Sequence, residues 1–198
     1  MDKKKALSRW FAETANWFVL HVRIREEHKI ATWLQAKLDT EKYKVFVPTR
    51  DYAHTKNKVT TIVKRPLFNG YLFIAAMVEA KECLRTVEPL FYIDPNIYKL
   101  LSNDGTANNS QLSEKDKVLM TAILDADFNM SALEATVEGD FVRVNDEVLA
   151  GLDAEIVTVN KRRLTAVIRM AFDGKRKDCE IALDMQEGEP KQFIRGVT

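Results

Sequence analysis

An α+β domain followed by a small β-barrel is the architecture this sequence predicts, and three observations predict it. Before residue 101 the patterns run strand, helix, strands, helix, the order in which helices cover one face of a mostly antiparallel sheet. Ser102 to Gln111 then reads as ten residues of turn formers with a single apolar member, a linker or exposed loop. After Glu138 the apolar pattern changes to period two in short β-branched segments, which suits a small barrel.

The elements follow in order. Asn16 to Arg23 sets Trp17, Val19, His21 and Arg23 on one face of a strand and Phe18, Leu20 and Val22 on the other, giving one wholly apolar inner face. From Glu26 to Leu38, Ile30, Ala31, Trp33, Leu34 and Leu38 recur at helical spacing, with Glu26 and Glu27 in the first turn where the macrodipole favours acids. Tyr43 to Val47 and Val59 to Val63 read as strands around the polar stretch Thr49 to Lys58. Another strand, Tyr71 to Ala75, follows Gly70, and Val78 to Val87 suits a second helix. Ser113 with Asp116 forms a capping-box pattern ahead of Val118, Leu119, Ala122, Ile123 and Leu124, so a short connecting helix is expected. Phe141 to Val144, Ala154 to Val159, Leu164 to Met170 and Cys179 to Leu183 are the barrel strands, separated by turns with Gly151, Asn160 and Gly174. The predicted divisions are a first domain over 14–101, a linker with a short helix over 102–136, and the barrel over 137–184.

Composition narrows the function. Hydrophobic residues at 46% and charged residues at 30% of 198 describe an ordinary globular chain with a packed core. A formal charge of +1 excludes a globally basic nucleic-acid binder, so attraction to DNA or RNA has to come from local patches. Cys83 and Cys179 form no CxxC pair and read as buried, reduced thiols. Lys3, Lys4 and Lys5 are not followed by the apolar run of a signal peptide, and no stretch reaches the ~20 apolar residues of a membrane span. A cytoplasmic protein is expected. His21, His28 and His54 join no HExxH or triad-like order, and 7 Gly leave no phosphate-cradling loop. No catalytic residue, metal or cofactor is therefore assigned, and a binding protein is expected rather than an enzyme.

Three segments carry a resemblance. Trp17-Phe18-Val19, Val45-Phe46-Val47-Pro48 and Leu67-Phe68-Asn69-Gly70-Tyr71-Leu72-Phe73 resemble landmarks of the N-terminal (NGN) domain of the NusG family of transcription elongation factors. Family members usually have proline where Asn69 stands, while the glycine that lets the chain turn into the strand is kept. Val137-Glu138-Gly139-Asp140-Phe141-Val142-Arg143-Val144, then Gly151, then Ala154-Glu155-Ile156-Val157, is similar to the family's KOW motif, with Asp146-Glu147-Val148 where Asp-Gly-Pro is more usual. Arg23 to Lys29, Leu112-Ser113, Asn160 to Arg163 and Ala166 look more like a specialised paralog of the LoaP type than the housekeeping protein.

The resemblance implies a monomer bound to bacterial RNA polymerase, with a hydrophobic concavity gripping the coiled clamp helices. Pro48, Leu67, Phe68 and Tyr71 are the polymerase-binding candidates, since aromatic residues flanking a glycine turn at a sheet edge make good anchors. Phe73 reads as core. Lys161, Arg162, Arg163, Arg169, Lys175, Arg176 and Lys177 face the single acid Asp173 in the window 161–177. They read either as a solvated rim or, with two basic turns expected to converge on one backbone, as a site for nascent RNA in hairpin form. The rival reading is an adaptor whose barrel recruits a ribosomal or termination protein and touches no RNA. A second basic patch, Arg50, Lys56, Lys58, Lys64 and Arg65 against Asp51, reads as tracking upstream DNA or as solvating a hairpin.

Overall fold

The computed structural model describes residues 10–11, 15–57, 59–101, 111–138, 141–145 and 147–185. Lys3 to Lys5, Lys58, the turn-rich stretch Ser102–Ser110, and Gly139, Asp140 and Asp146 of the KOW-like segment lie outside the described residues. The chain forms two compact units.

The first unit takes in the described residues of Met1–Pro48, Phe68–Thr121 and Ala126–Phe128. Its sheet has the order β2 (Tyr43–Phe46), β5 (Tyr71–Ala76), β1 (Asn16–Val22), β6 (Ile97–Leu100), and every pairing is antiparallel. Helices α1 (Glu27–Gln35) and α2 (Ala80–Phe91) supply Ile30, Ala31, Leu34, Cys83 and Val87 to a core built on Phe18, Leu20, Val22, Leu72, Ile74 and Ala76. The Leu, Ile, Val and Phe side chains among these contribute roughly 1.5–3 kcal/mol each when fully buried.

The expected single apolar face of β1 needs correction, because Trp17 and Val19 are buried as well. Trp17 packs edge-on against Phe46 at 5.3 Å, and Phe46 stacks on Phe128 at 3.9 Å. A connecting helix, α3 (Glu114–Ile123), follows Ser113, whose hydroxyl accepts from the Asp116 backbone N–H at 3.1 Å and donates to Asp116 Oδ2 at 2.7 Å. Lys117 of α3 donates its ammonium to the Ala15 carbonyl at 2.8 Å. Only at its C-terminal end does this face of β1 open, at half-buried His21.

The second unit takes in Thr49–Leu67, Ala122–Asp125 and the described residues from Asn129 onward. The polar stretch expected to separate two strands is itself a strand, β3 (Thr49–Lys56), paired with β4 (Val59–Pro66) and, in parallel, with β7 (Asn129–Met130). Of β3 only Thr49 and Ala53 are buried, so its sequence lacks the apolar alternation that marks a strand. A five-stranded sheet follows in the order β10 (Ala154–Asn160), β11 (Thr165–Phe172), β12 (Lys175–Met185), β8 (Leu133–Glu138), β9 (Phe141–Val144), forming the small, nearly closed barrel. Ala166, Ile168, Met170, Phe172, Cys179 and Ile181 fill its interior. β6 and β8 were not legible in the sequence, and β12 begins four residues earlier than expected.

Among the described residues no helix is long and apolar enough to cross a membrane, and no group of three or more His, Cys, Asp or Glu could hold a metal ion.

Candidate functional site

The Phe68-Asn69-Gly70-Tyr71 segment is held from below. Gly70 has φ +78, where L side chains are strained, and a Cβ there would sit 3.2 Å from the Val22 carbonyl oxygen and 3.3 Å from Ile24 Cγ1. Its N–H donates to Glu27 Oε1 at 2.7 Å, and its carbonyl accepts the Val22 N–H at 2.8 Å. Glu27 is 2% exposed, so its carboxylate acts inside the unit, tying the first turn of α1 to the turn that launches β5.

That turn delivers Tyr71 opposite His21 in the β1–β5 register. Their ring centroids lie 5.6 Å apart, His21 meets Tyr98 of β6 edge-on at 5.4 Å, and Phe68 meets Tyr71 edge-on at 6.3 Å. The row Tyr71, His21, Tyr98 therefore crosses three adjacent strands, a span of ~10 Å at the usual strand spacing. Tyr71 and His21 are half-buried, Tyr98 is 55% exposed, and Ile24 beside Gly70 is 58% exposed. Arg23 and Arg25 are exposed on the loop that follows β1. The result is an aromatic step with an apolar floor and a basic rim, suited to an anchored protein contact. Of the four expected contact residues, Tyr71 alone reaches the surface to a substantial degree, since Leu67 and Phe68 are 2% and 6% exposed and Pro48 is buried.

The barrel cations are arranged differently from expectation. β10, β11 and β12 are successive antiparallel strands, with Asn160 opposite Thr165 at one end of β11 and Phe172 opposite Lys175 at the other. Successive hairpin turns fall at opposite ends of the shared strand, so the two basic segments stand ~24 Å apart along it and do not converge. Nor do Lys175, Arg176 and Lys177 lie in a turn. They begin β12, and the turn is Asp173-Gly174, with φ of +54 and +65 as a tight two-residue hairpin requires.

Two of the seven cations are also neutralised by acids just outside the window. Arg169 grips Asp178 through Nε at 2.8 Å and Nη2 at 2.9 Å, and Arg176 meets Asp153 at 2.9 Å. The Arg169 guanidinium holds the Asp178 carboxyl below its ordinary value, and Asp178 in turn raises Arg169. Arg162, Arg163 and Lys175 are exposed. Burial pushes the thiol of Cys83 up to about 12 and that of Cys179 up to about 11, consistent with inert core cysteines.

A family model described as the transcription termination factor NusG matches residues 15–116, over half of the chain. The chain belongs to the NusG family. A NusG structure from Thermotoga maritima, from a study of domain interaction in that protein, matches with a TM-score of 0.52. The identity is 15%, and the match covers 85% of this chain and 93% of that one, a likeness of fold. Comparison with curated protein sequences returns no match. NusG factors are non-enzymatic regulators, and membership points the role of this chain to transcription elongation or antitermination.

In this NusG-family chain the sequence missed three site residues. Glu27 was legible only as a helix-start acid, whereas its partner is 43 residues away. His21 belongs to no constellation in the sequence, and Tyr98 lies in a four-residue strand too short to show an apolar period.

Proposed function

We propose that this protein binds the clamp helices of RNA polymerase through the Tyr71, His21 and Tyr98 row and promotes processive elongation or antitermination. Residues 14–101 serve as its NGN domain and 137–184 as its KOW domain. The observation that carries the reading is an aromatic row left half-open at the one end of β1 where the face is not covered. A factor bridging the polymerase cleft favours the closed clamp by no more than its differential affinity for it, and a few kcal/mol suffices to suppress pausing. Copurification of RNA polymerase with the tagged chain tests this. Tyr71→Ala and Tyr98→Ala should each weaken binding, by ~2 kcal/mol or about thirtyfold for a true anchor. Wild-type retention by a folded double variant would sink the assignment.

For the barrel, nascent RNA bound by Lys161, Arg162 and Arg163 remains one reading, and a specialised LoaP-like paralog in the cytoplasm would use it. The adaptor reading, with a ribosomal or termination protein as the barrel's partner, gains support from the separation of the basic segments and the pairing of Arg169 and Arg176. Mobility shifts with leader-RNA hairpins separate the two, because changing Lys161, Arg162 and Arg163 together to Ala should abolish a genuine RNA complex and leave an adaptor unaffected.

A further inference from the structure

Among the described residues, five other than glycine stand at positive φ: Arg25, Asn57, Phe128, Leu164 and Asp173. Four of them have a reason within the chain. Asn57 and Asp173 are of the residue types that tolerate the left-handed region. Phe128 is 6% exposed and stacks on Phe46 at 3.9 Å and on Phe11 at 5.3 Å, while half-buried Leu164 accepts the Leu183 N–H at its carbonyl at 2.8 Å. Arg25 has no such compensation. It stands at φ +75 and is exposed, and among the described residues its side chain makes no hydrogen bond or ion pair.

Its place is the third position of the turn Arg23–Glu26, closed by the Glu26 N–H on the Arg23 carbonyl at 3.1 Å. With Ile24 outside the positive-φ region before it, this is the pattern of a type II turn, whose third residue is ordinarily Gly or Asn. An arginine there gains nothing from the backbone. The turn borders the aromatic row, because a Cβ at Gly70 would lie 3.3 Å from Ile24 Cγ1 and 3.5 Å from His21 Cδ2. The acids next to it are engaged, Glu26 with Lys29 at 3.2 Å and Glu27 with the Gly70 N–H. Two further exposed cations stand beside the row: Arg23, which donates to Asn96 Oδ1 at 3.4 Å, and Lys99, opposite His21 in register.

We propose that Arg25 is a specificity residue of this surface, held in a strained turn to pair with a carboxylate of the protein that covers the aromatic row. The inference rests on the clamp-helix reading and adds a chemical requirement to it: the helices that bury Tyr71, His21 and Tyr98 present an acidic side chain beside Ile24. A guanidinium binds a carboxylate through two parallel N–H donors, and charges at the rim of an aromatic contact govern association rate and choice of partner. Three cations spaced around an aromatic step suit a docked acidic side chain better than a nucleic-acid backbone, which needs a continuous track of them.

Binding of the full chain to core RNA polymerase free of nucleic acid, followed by biolayer interferometry across salt and set beside thermal unfolding, tests the proposal. Arg25→Asn should melt at or slightly above the wild type, since Asn accepts the left-handed turn. Its binding should nevertheless be about fivefold weaker at low salt, with the difference shrinking as salt rises. Arg25→Glu should bind more weakly still, and Arg25→Lys should fall between wild type and Arg25→Asn. A lowered melting temperature for Arg25→Asn would overturn the proposal, as would wild-type binding by both Arg25→Asn and Arg25→Glu. A loss confined to elongation complexes carrying DNA and RNA would do the same, by assigning Arg25 to phosphate. Tyr71→Ala and Tyr98→Ala in the same assay separate the two readings. If they bind weakly while the Arg25 variants bind normally, only the rim pairing fails; if they bind as the wild type does, the clamp-helix reading fails and this inference with it.

Discussion

Gly70 and Gly174 both turn the chain at positive φ into a β-strand, yet the surroundings of the two turns have little in common. Around Gly70 the protein is packed to within 3.2 Å of a hypothetical Cβ, and a buried carboxylate from another element takes its N–H. A Cβ added at Gly174 would meet nothing within 4 Å beyond its chain neighbours, and the residue is exposed. The first turn fixes the orientation of the aromatic row, because it is tied to α1 and β1 at once. The second only reverses the chain between two strands, and the cations after it are spread along a strand instead of gathered at a tip. A glycine turn next to candidate binding residues is part of a site only when tertiary contacts hold it.

The comparison can be broken at several points. The largest effect is expected at Phe68→Ala, because a side chain only 6% exposed should cost ~3–5 kcal/mol when truncated. Thermal unfolding should report it, and any loss of polymerase binding in that variant then reflects the fold rather than a lost contact. Gly70→Ala comes next at about 3 kcal/mol, combining left-handed strain with crowding against backbone, whereas Gly174→Ala should cost only about 1 kcal/mol. Equal melting shifts for the two would refute the contrast between them. Glu27→Ala should cost ~2 kcal/mol by leaving the Gly70 N–H unsatisfied, and Glu27→Gln, which keeps an acceptor oxygen, should recover most of it. A Gln variant as unstable as Ala would show that the negative charge, not the hydrogen bond, matters.

The smallest effect belongs to the barrel. The folded state lowers the carboxyl of Asp178, so the stabilisation from its pairing with Arg169 is fully present above the ordinary carboxylate range and fades as pH falls through the lowered value. Asp178→Asn should thus narrow the melting difference between neutral solution and about pH 3 without much loss at either, since both partners are solvent-exposed. A wild-type titration of Asp178 by NMR at its ordinary value would contradict this.

Local patterning marked much of this. The apolar periodicity of β1 and α1, the Ser113–Asp116 cap and the Phe68-Asn69-Gly70-Tyr71 turn all depend on residues within a few positions of one another. The same locality hid β3, whose mostly solvated faces need no apolar alternation and whose backbone is satisfied by β4 and β7. It hid Tyr98 as well, because β6 is four residues long and gains its meaning only beside β1.

By itself, then, the sequence determined most of the helices and strands, the glycine turns at Gly70 and Gly174, and the two-part order of an α+β domain and a barrel. Only the tertiary structure decided which aromatic residues remain accessible and which cations keep their charge unneutralised. Exposure and ion pairing depend on neighbours distant in sequence. Glu27 reaches Gly70, Asp153 reaches Arg176, and the alternation of antiparallel hairpins sends two basic segments of one short window to opposite ends of β11.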